Sequence, residues 1–334
     1  MEHFDYREGV ESIRGKSDIE ALLTMDKPTV FHIKGRDHSR AVLVSTLLHG
    51  REPSGFRAFL KEVSQAEDYA MDVYFSVGNV AAAQIHPYFS NRDIPGKEDF
   101  NRVWVDNPRT EEQYTAAVMT EFFQVLPLFG FLDIHSYVAK TIPPHGVISK
   151  MDFTTKRLIQ RLAPTAFLMD MNLGTLLERM GKKTTAVLVE TGINNSAIAD
   201  RNAYLSLQGF LNAMFVKEGS QRLYETTFYH QGIQFKVRED VSVTWAKERK
   251  ENYALTLRED LDTLNHTLVT EGRLFGWSDS LDVFTTNDVQ RGVQDYFTLD
   301  KGILRMKKDV VPNFLNTEEK IMKRGGFYFF QSLA

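Results

Sequence analysis

A histidine and a glutamate three positions apart close an apolar run in this chain. Val42-Leu43-Val44-Ser45-Thr46-Leu47-Leu48 leads into His49-Gly50-Arg51-Glu52, and Pro53-Ser54-Gly55 follows. An imidazole nitrogen and a carboxylate oxygen are both ligands for a divalent cation, and the i, i+3 spacing lets them share one face as the chain enters a helix. Gly50 frees the backbone to turn between them. Two more apolar runs end in ionisable side chains: Phe131-Leu132 meets Asp133-Ile134-His135, and Val187-Leu188-Val189 meets Glu190-Thr191-Gly192. Zinc catalysis commonly takes three protein ligands and leaves a position open for water, and His49, Glu52 and His135 make up that number. A lone His-x-x-Glu is a weak pattern that a solvated turn explains equally well. Three strand ends of this kind are harder to explain so, because burying such groups without partners is costly. The chain has no cysteine, so disulfides, thiolate nucleophiles and Cys-type zinc sites are excluded, and a metal must be held by His and carboxylates.

These residues need a sheet that brings strand ends together. Thr29 to Lys34 alternates as a strand does, and Arg40 to Leu48 is apolar enough to lie inside a sheet. Pro53 suits a first helical turn, and Phe56, Phe59, Leu60 and Val63 recur at helical spacing, so Pro53 to Ser64 is predicted as a helix. Val73 to Asn79 is the next strand, which completes a βαβ unit with a right-handed crossover. Residues 86 to 110 are rich in turn formers, a long loop of the functional or disordered sort, and contain the unusual stretch Asp99-Phe100-Asn101-Arg102-Val103-Trp104. Glu111 to Leu128 is predicted as a helix with Tyr114, Ala117, Val118, Phe122 and Val125 on one face. Phe129 to Ser136 is predicted as a strand, Gly146 to Ser149 another, and Phe153 to Leu162 a helix. Thr184 to Gly192 follows as a strand, and then a long helix from Ala197 to about Lys217 carrying Ile198, Leu205, Phe210, Leu211 and Phe215. Beyond Gly219 short strand-like pieces replace the βα alternation: Thr227 to Val237, Val241 to Trp245, Tyr253 to Leu257, Gly302 to Met306 and Phe327 to Gln331. The expected organisation is a domain over residues 1–222 and a smaller β-rich domain over 223–334. Asp133 lies two residues before His135 and so points to the same side of its strand, in place to orient a metal-bound histidine.

At 334 residues, 43% hydrophobic and 25% charged, the chain is long enough for about two domains with a full core. A net charge of −4 argues against a nucleic-acid surface. No apolar run approaches the ~18 residues of a membrane span, and the charged start Met1-Glu2-His3-Phe4-Asp5 lacks the apolar stretch of a signal peptide. A cytoplasmic protein is expected, with no membrane partner and an undetermined oligomeric state. Neither a Gly-rich phosphate loop nor a G-x-S-x-G elbow occurs, so nucleotide and serine-hydrolase chemistry have no support. His32, His38, His230 and His266 lie outside any motif and read as surface or strand histidines, while His86 and His145 are candidates to line a pocket. Phe327-Tyr328-Phe329-Phe330 reads as a buried strand and Lys247 to Glu251 as a solvated turn.

Taken in order, His49-Gly50-Arg51-Glu52, Asn101-Arg102, Asp133-Ile134-His135-Ser136 and Glu190-Thr191-Gly192 resemble the zinc carboxypeptidase clan, and within it the succinylglutamate desuccinylase/aspartoacylase family. The likeness covers roughly residues 40 to 220. Pro143-Pro144-His145-Gly146-Val147-Ile148 extends it, and Glu271-Gly272-Arg273-Leu274-Phe275 and Val311-Pro312-Asn313 echo it faintly in the C-terminal part. The resemblance implies an α/β fold with a mixed, mostly parallel central sheet flanked by helices, plus the smaller β-rich domain. It further implies that His49, Glu52 and His135 hold one Zn2+, which polarises a scissile amide carbonyl and lowers the pKa of its water toward ~7. Glu190 would take the proton from that water and pass it to the leaving nitrogen. Asn101 and Arg102 would grip a carboxylate of a small-molecule substrate, Arg102 through a two-pronged contact.

The chain also departs from that family. Where an Arg-Tyr pair is usual ahead of Asn-Arg, this sequence has Ile85-His86-Pro87-Tyr88-Phe89, with Arg92 out of register and Lys97 and Arg109 farther off. Shortly after the third ligand, where desuccinylases carry an arginine, stand Ala139 and Lys140. The expected activity is therefore hydrolysis of an N-acyl amino acid or similar small amide bearing a carboxylate, with acyl group and amino acid open. A zinc carboxypeptidase acting on short peptides and a catalytically silent binding module are the alternatives. Sites made of two histidines and a carboxylate also accept divalent metals other than zinc.

Overall fold

Strand ends gather where parallel strands lie side by side, and the computed structural model shows this for three of them. It describes residues 2–65, 68–169, 172–215, 223–288 and 290–332. The chain divides into two compact units, Met1–Tyr137 with Pro143–Ala166 and Asn172–Thr226, and Val138–Ile142 with Phe167–Met171 and Thr227–Ala334.

The first unit carries strands β1 (Asp5–Glu8), β2 (Thr29–Ile33), β3 (Asp37–Thr46), β4 (Met71–Val77), β5 (Leu128–Tyr137) and β6 (His145–Ile148). β7 (Thr165–Leu168) spans the division, and β8 (Thr185–Ile193) returns to the first unit. The order there is β1-β2-β4-β3-β5-β8-β6. β1 and β2 are parallel, β2 and β4 antiparallel, β4, β3, β5 and β8 successively parallel, and β8 and β6 antiparallel, so the sheet is mixed. Ala41 to Thr46 and all of β4 are buried without alternation, as interior strands covered on both faces should be. Thr29 to His32 are likewise buried in succession, so the alternation of residue types in β2 does not mark a solvated face.

The unit's helices are α1 (Asp18–Leu22), α2 (Ser54–Gln65), α3 (Val80–Gln84), α4 (Glu111–Val125), α5 (Phe153–Ile159), α6 (Leu176–Gly181) and α7 (Ala197–Phe215). α2 joins β3 to its parallel neighbour β4 and buries Phe56, Phe59, Leu60 and Val63, the face read from the sequence. α4 differs from expectation twice. It stops at Val125 because Leu126 precedes Pro127 and is extended (φ −70°, ψ 144°). It also buries Thr115, Ala116, Met119, Thr120 and Phe123, leaving Tyr114 and Val125 exposed. α7 buries Ala199, Ala203, Ser206, Leu207, Phe210 and Leu211, while Ile198 and Leu205 face solvent. Small side chains along that stripe let α7 approach α2 and the sheet closely. The expected continuation to Lys217 lies outside the described residues.

In the second unit β9 (Thr227–Val237) comes first, then β10 (Val243–Ala246), β11 (Leu255–Arg258), β12 (Leu274–Ser278), β13 (Phe284–Thr286), β14 (Phe297–Asp300), β15 (Ile303–Met306), β16 (Val311–Asn313), α8 (Glu319–Arg324) and β17 (Phe327–Ser332). A five-stranded sheet runs β10-β11-β12-β15-β14, and β9 pairs antiparallel with β13 and with β17, which pairs with β16. The hairpin β14–β15 turns through Lys301 and Gly302, both at positive φ (46° and 77°), the two-residue turn whose twist matches antiparallel strands. Its core is aromatic: Phe235, Phe275, Phe284, Phe297, Phe327 and Phe329 are buried together, with Phe284 and Phe297 stacked at 5.2 Å. Among the described residues no helix is long and apolar enough to cross a membrane.

Candidate metal centre

β3 delivers its chain end through a sharp turn. Leu47, a buried residue at φ 57°, breaks the strand direction, and its carbonyl accepts the Asn79 N–H at 2.7 Å. A left-handed residue of this size is held only where neighbours over-determine it. Gly50 comes next, where a Cβ would stand 2.5 Å from Ala83 N and 2.7 Å from Asn91 O. Only glycine lets the turn between His49 and Glu52 come this near to both backbones. The Glu52 N–H then donates to the His49 carbonyl at 3.0 Å, and α2 begins at Ser54.

This turn points His49 and Glu52 at His135, near the end of β5. His49 Nδ1 lies 2.9 Å from Glu52 Oε1, and His135 Nδ1 lies 2.9 Å from Glu52 Oε2. All three are buried, and one ligand atom from each falls within 4.8 Å of the others. The far nitrogens are occupied too: His49 Nε2 is 3.1 Å from Asp99 Oδ1, and His135 Nε2 is 3.1 Å from Asp133 Oδ2. With a carboxylate behind each imidazole to accept an Nε2–H, each Nδ1 would be left to face inward as a ligand once a cation displaces its proton, the arrangement that orients histidines toward a metal. Asp133, wholly buried, lies behind His135.

The charges explain what this cradle holds. Glu52, Asp99 and Asp133 gather three carboxylates around two imidazoles. Burial works against a charged Glu52, yet His49 and His135 outweigh it and hold its carboxyl well below the usual range. Burial likewise opposes charge on His135, while Asp133 and Glu52 hold its proton well above the ordinary value. Asp99, against burial, is held low by His49 and Arg92. Positive charge is thus demanded between the imidazoles and Glu52. A divalent cation fits that demand and that donor set, in competition with the protons.

Glu190 lies on β8 in register with His135 on one side and with His145 of β6 on the other. Its Oε2 is closed off from solvent and has no hydrogen-bond partner among the described residues. Burial pushes its carboxyl up to about 8, with His135 pulling down and the charge of Glu52 adding to the rise. Asn101 is buried, its Oδ1 accepting the Leu176 N–H at 3.1 Å and its Nδ2 3.4 Å from His135 Nε2. Arg102 is half-buried, with Nη1 donating to the Asn101 carbonyl at 2.6 Å. His145 is fully buried, while His86 is exposed and lies over Tyr88.

Of the cations considered from sequence, Arg92 is the one found at the cradle, 3.7 Å from Glu52. Lys97 pairs with Glu111 and Glu112, and Lys140 with Asp262. Asp99 is the participant that sequence reasoning missed. The signal for it was an acid two residues ahead of Asn101-Arg102, but a loop has no periodicity to say where a side chain points.

Compared with known proteins, the sequence matches no protein-family profile, and no curated protein matches it. Solved structures do match. A succinylglutamate desuccinylase/aspartoacylase from Rhodobacter sphaeroides superposes with a TM-score of 0.55 at 16% identity, covering 85% of this chain and 82% of that one. A putative succinylglutamate desuccinylase/aspartoacylase from Shewanella frigidimarina gives a TM-score of 0.60 at 10% identity, covering 91% and 92%. The chain has the desuccinylase/aspartoacylase fold. The same fold recurs in the product-bound ectoine utilization protein EutE (DoeB) from Ruegeria pomeroyi, with a TM-score of 0.53, 15% identity, and 84% and 82% covered. At these identities the likeness is one of fold.

Proposed function

We propose that the chain is a zinc-dependent amidohydrolase that cleaves an N-acyl amino acid or a similar small amide bearing a carboxylate. The observation that carries this reading is the buried cradle in which two imidazole Nδ1 atoms face one glutamate, each backed by an aspartate. His49, Glu52 and His135 would hold the ion, which when bound supplies Lewis acidity toward the amide carbonyl and makes water a better nucleophile. Asp99 and Asp133 fix the two imidazoles. Glu190 takes a proton from the attacking water and returns it to the leaving nitrogen, and a carboxyl poised near neutral pH suits both transfers. Arg102 binds the substrate carboxylate, with Asn101 setting its loop against His135. Residues 1–222 would form the catalytic domain of a cytoplasmic enzyme, with 223–334 as its β-rich companion.

Glu190→Gln tests the reading directly. The variant should retain zinc and lose about 10²–10⁴-fold in turnover on N-acyl amino acids. Wild type that cleaves only short peptides would replace this reading with a carboxypeptidase. Wild type that purifies without metal and hydrolyses nothing across an acyl-amino-acid panel would leave a binding module.

A further inference from the structure

Arg92 is where the chain leaves its expected pattern, and its surroundings say what it does. Its Nη2 and Nε donate to Asp99 Oδ2 at 2.7 and 3.2 Å. Asp93 and Glu52 each stand 3.7 Å from the same guanidinium. Three carboxylates therefore share one arginine. The backbone is anchored as well: the Arg92 carbonyl accepts the Gly50 N–H at 2.9 Å, inside the turn that carries His49 and Glu52. Side chain and main chain thus both tie residue 92 to the cradle, and Asp99, held by two guanidinium nitrogens, reaches His49 Nε2 with its other oxygen. Both guanidinium N–H groups converge on the one oxygen Oδ2, while Oδ1 faces His49 and accepts the Asn101 N–H at 2.8 Å.

We propose that Arg92 is a positioning residue that clamps Asp99 onto His49, and that the substrate's acyl group is accordingly uncharged. This rests on the amide-hydrolysing reading above. For Arg92 to bind a second carboxylate on the acyl side, that carboxylate would have to displace Asp99, which frees His49 at the same stroke, and approach a guanidinium already ringed by Asp93, Asp99 and Glu52. A short neutral acyl group such as acetyl makes no such demand, and Arg102 remains for the carboxylate of the amino acid.

The test uses the full chain loaded with zinc. Zinc dissociation constants are measured by competition with a chromophoric chelator for wild type, Arg92→Ala, Arg92→Lys, Asp99→Asn and the double variant Arg92→Lys/Asp99→Asn. In parallel, kcat/KM is measured on N-acetyl and N-succinyl derivatives of the same amino acids. Arg92→Ala and Asp99→Asn should each weaken zinc by roughly 10–100-fold, as loss of an outer partner does. Arg92→Lys, which keeps the charge and loses the fork, should lie between wild type and Arg92→Ala. The double variant should be little worse than the weaker of its two single variants, since both changes break one chain of contacts. Wild type should prefer N-acetyl over N-succinyl substrates, and Arg92→Ala should lower both in proportion. The proposal is overturned if Arg92→Ala binds zinc as wild type does, or if that variant loses N-succinyl turnover selectively. A wild-type preference for N-succinyl substrates also overturns it while leaving the amidohydrolase reading intact. Should neither series be cleaved, the amidohydrolase reading fails, and the substrate half of this proposal falls with it. The zinc competition still decides whether Arg92 positions Asp99.

Discussion

Two histidine–carboxylate clusters stand at opposite ends of β3, and of the two only the one past its carboxyl end brings three ligand atoms together as a metal site could. Past the carboxyl end, His49 and His135 each present Nδ1 to Glu52 and rest Nε2 on an aspartate of their own. At the amino end, His32 Nε2 and His38 Nδ1 lie 3.0 and 2.8 Å from the two oxygens of one aspartate, Asp72. There the second nitrogen of His32 meets the Tyr6 hydroxyl at 2.8 Å, its ring stacks on Tyr74, and the side chain of His38 is largely exposed. Residue types are alike, so type does not make a site. What differs is convergence. In one cluster the imidazoles are pressed inward by carboxylates behind them, and a third carboxylate waits between them. In the other a single carboxylate is spent on the imidazoles and on the Gly35 N–H. Among the described residues, His49, Glu52 and His135 are the group whose ligand atoms all come within 4.8 Å of one another.

The largest break in that comparison should come from Glu52→Gln. It keeps the shape but removes the charge that both imidazoles face, so zinc retention should fall by more than the roughly 10–100-fold that an outer partner is worth. Dialysis against a chelator followed by metal analysis measures it, and a variant that keeps stoichiometric zinc would remove Glu52 from the ligand set. Asp133→Asn should come next. His135 would exchange the charged acceptor at its Nε2 for a neutral amide, and zinc affinity should drop by about 10–100-fold while the fold survives. An affinity within twofold of wild type would make Asp133 a bystander.

Most of the cradle was legible because strand ends are. An apolar run that stops at a histidine or glutamate marks both the direction of the chain and the end of the sheet at which the side chain emerges. α2 was legible for a related reason, since Phe56, Phe59, Leu60 and Val63 are bulky and confined to one stripe. α4 was not. Apolar residues circle it, from Tyr114 and Ala116 through Met119 and Phe123 to Val125, so periodicity chooses no face, and packing settled on the one with Thr115 and Thr120. In α7 the buried stripe is made of alanines as much as large residues, and the larger Ile198 and Leu205 drew attention to the wrong side. Asp99 and Arg92 lie in the loop before α4, where neither period nor strand direction applies. Of the short strands that escaped, β12 and β16 carry Gly276 and Pro312, residues that argue against a strand.

The amino-end cluster supplies the finer tests. Asp72→Asn turns one of two acceptor oxygens into a donor, so that the amide N–H must face either the Gly35 N–H or His32 Nε2, which lie 2.8 and 3.0 Å from different oxygens of Asp72. A buried hydrogen-bonding mismatch of this kind costs about 1–3 kcal/mol, read as a lower urea midpoint at pH 7, with zinc affinity unchanged. The pH dependence has a definite sign. Burial raises the Asp72 carboxyl, but the Gly35 N–H and the two imidazoles outweigh it and leave it below its ordinary value. The stability that the carboxylate contributes is fully present above the unfolded pKa, near ~3.9, and is lost as pH falls through the folded one. The deficit of Asp72→Asn should therefore shrink in acid, and a deficit that grows there would contradict the assignment. His38→Ala should do least. With its side chain 63% exposed, the contact to Asp72 is worth between 0 and about 1 kcal/mol. If His38→Ala or Asp72→Asn nevertheless weakened zinc binding, the two ends of β3 would be coupled through the strand. The metal cradle would then depend on more than the carboxylates immediately behind its histidines.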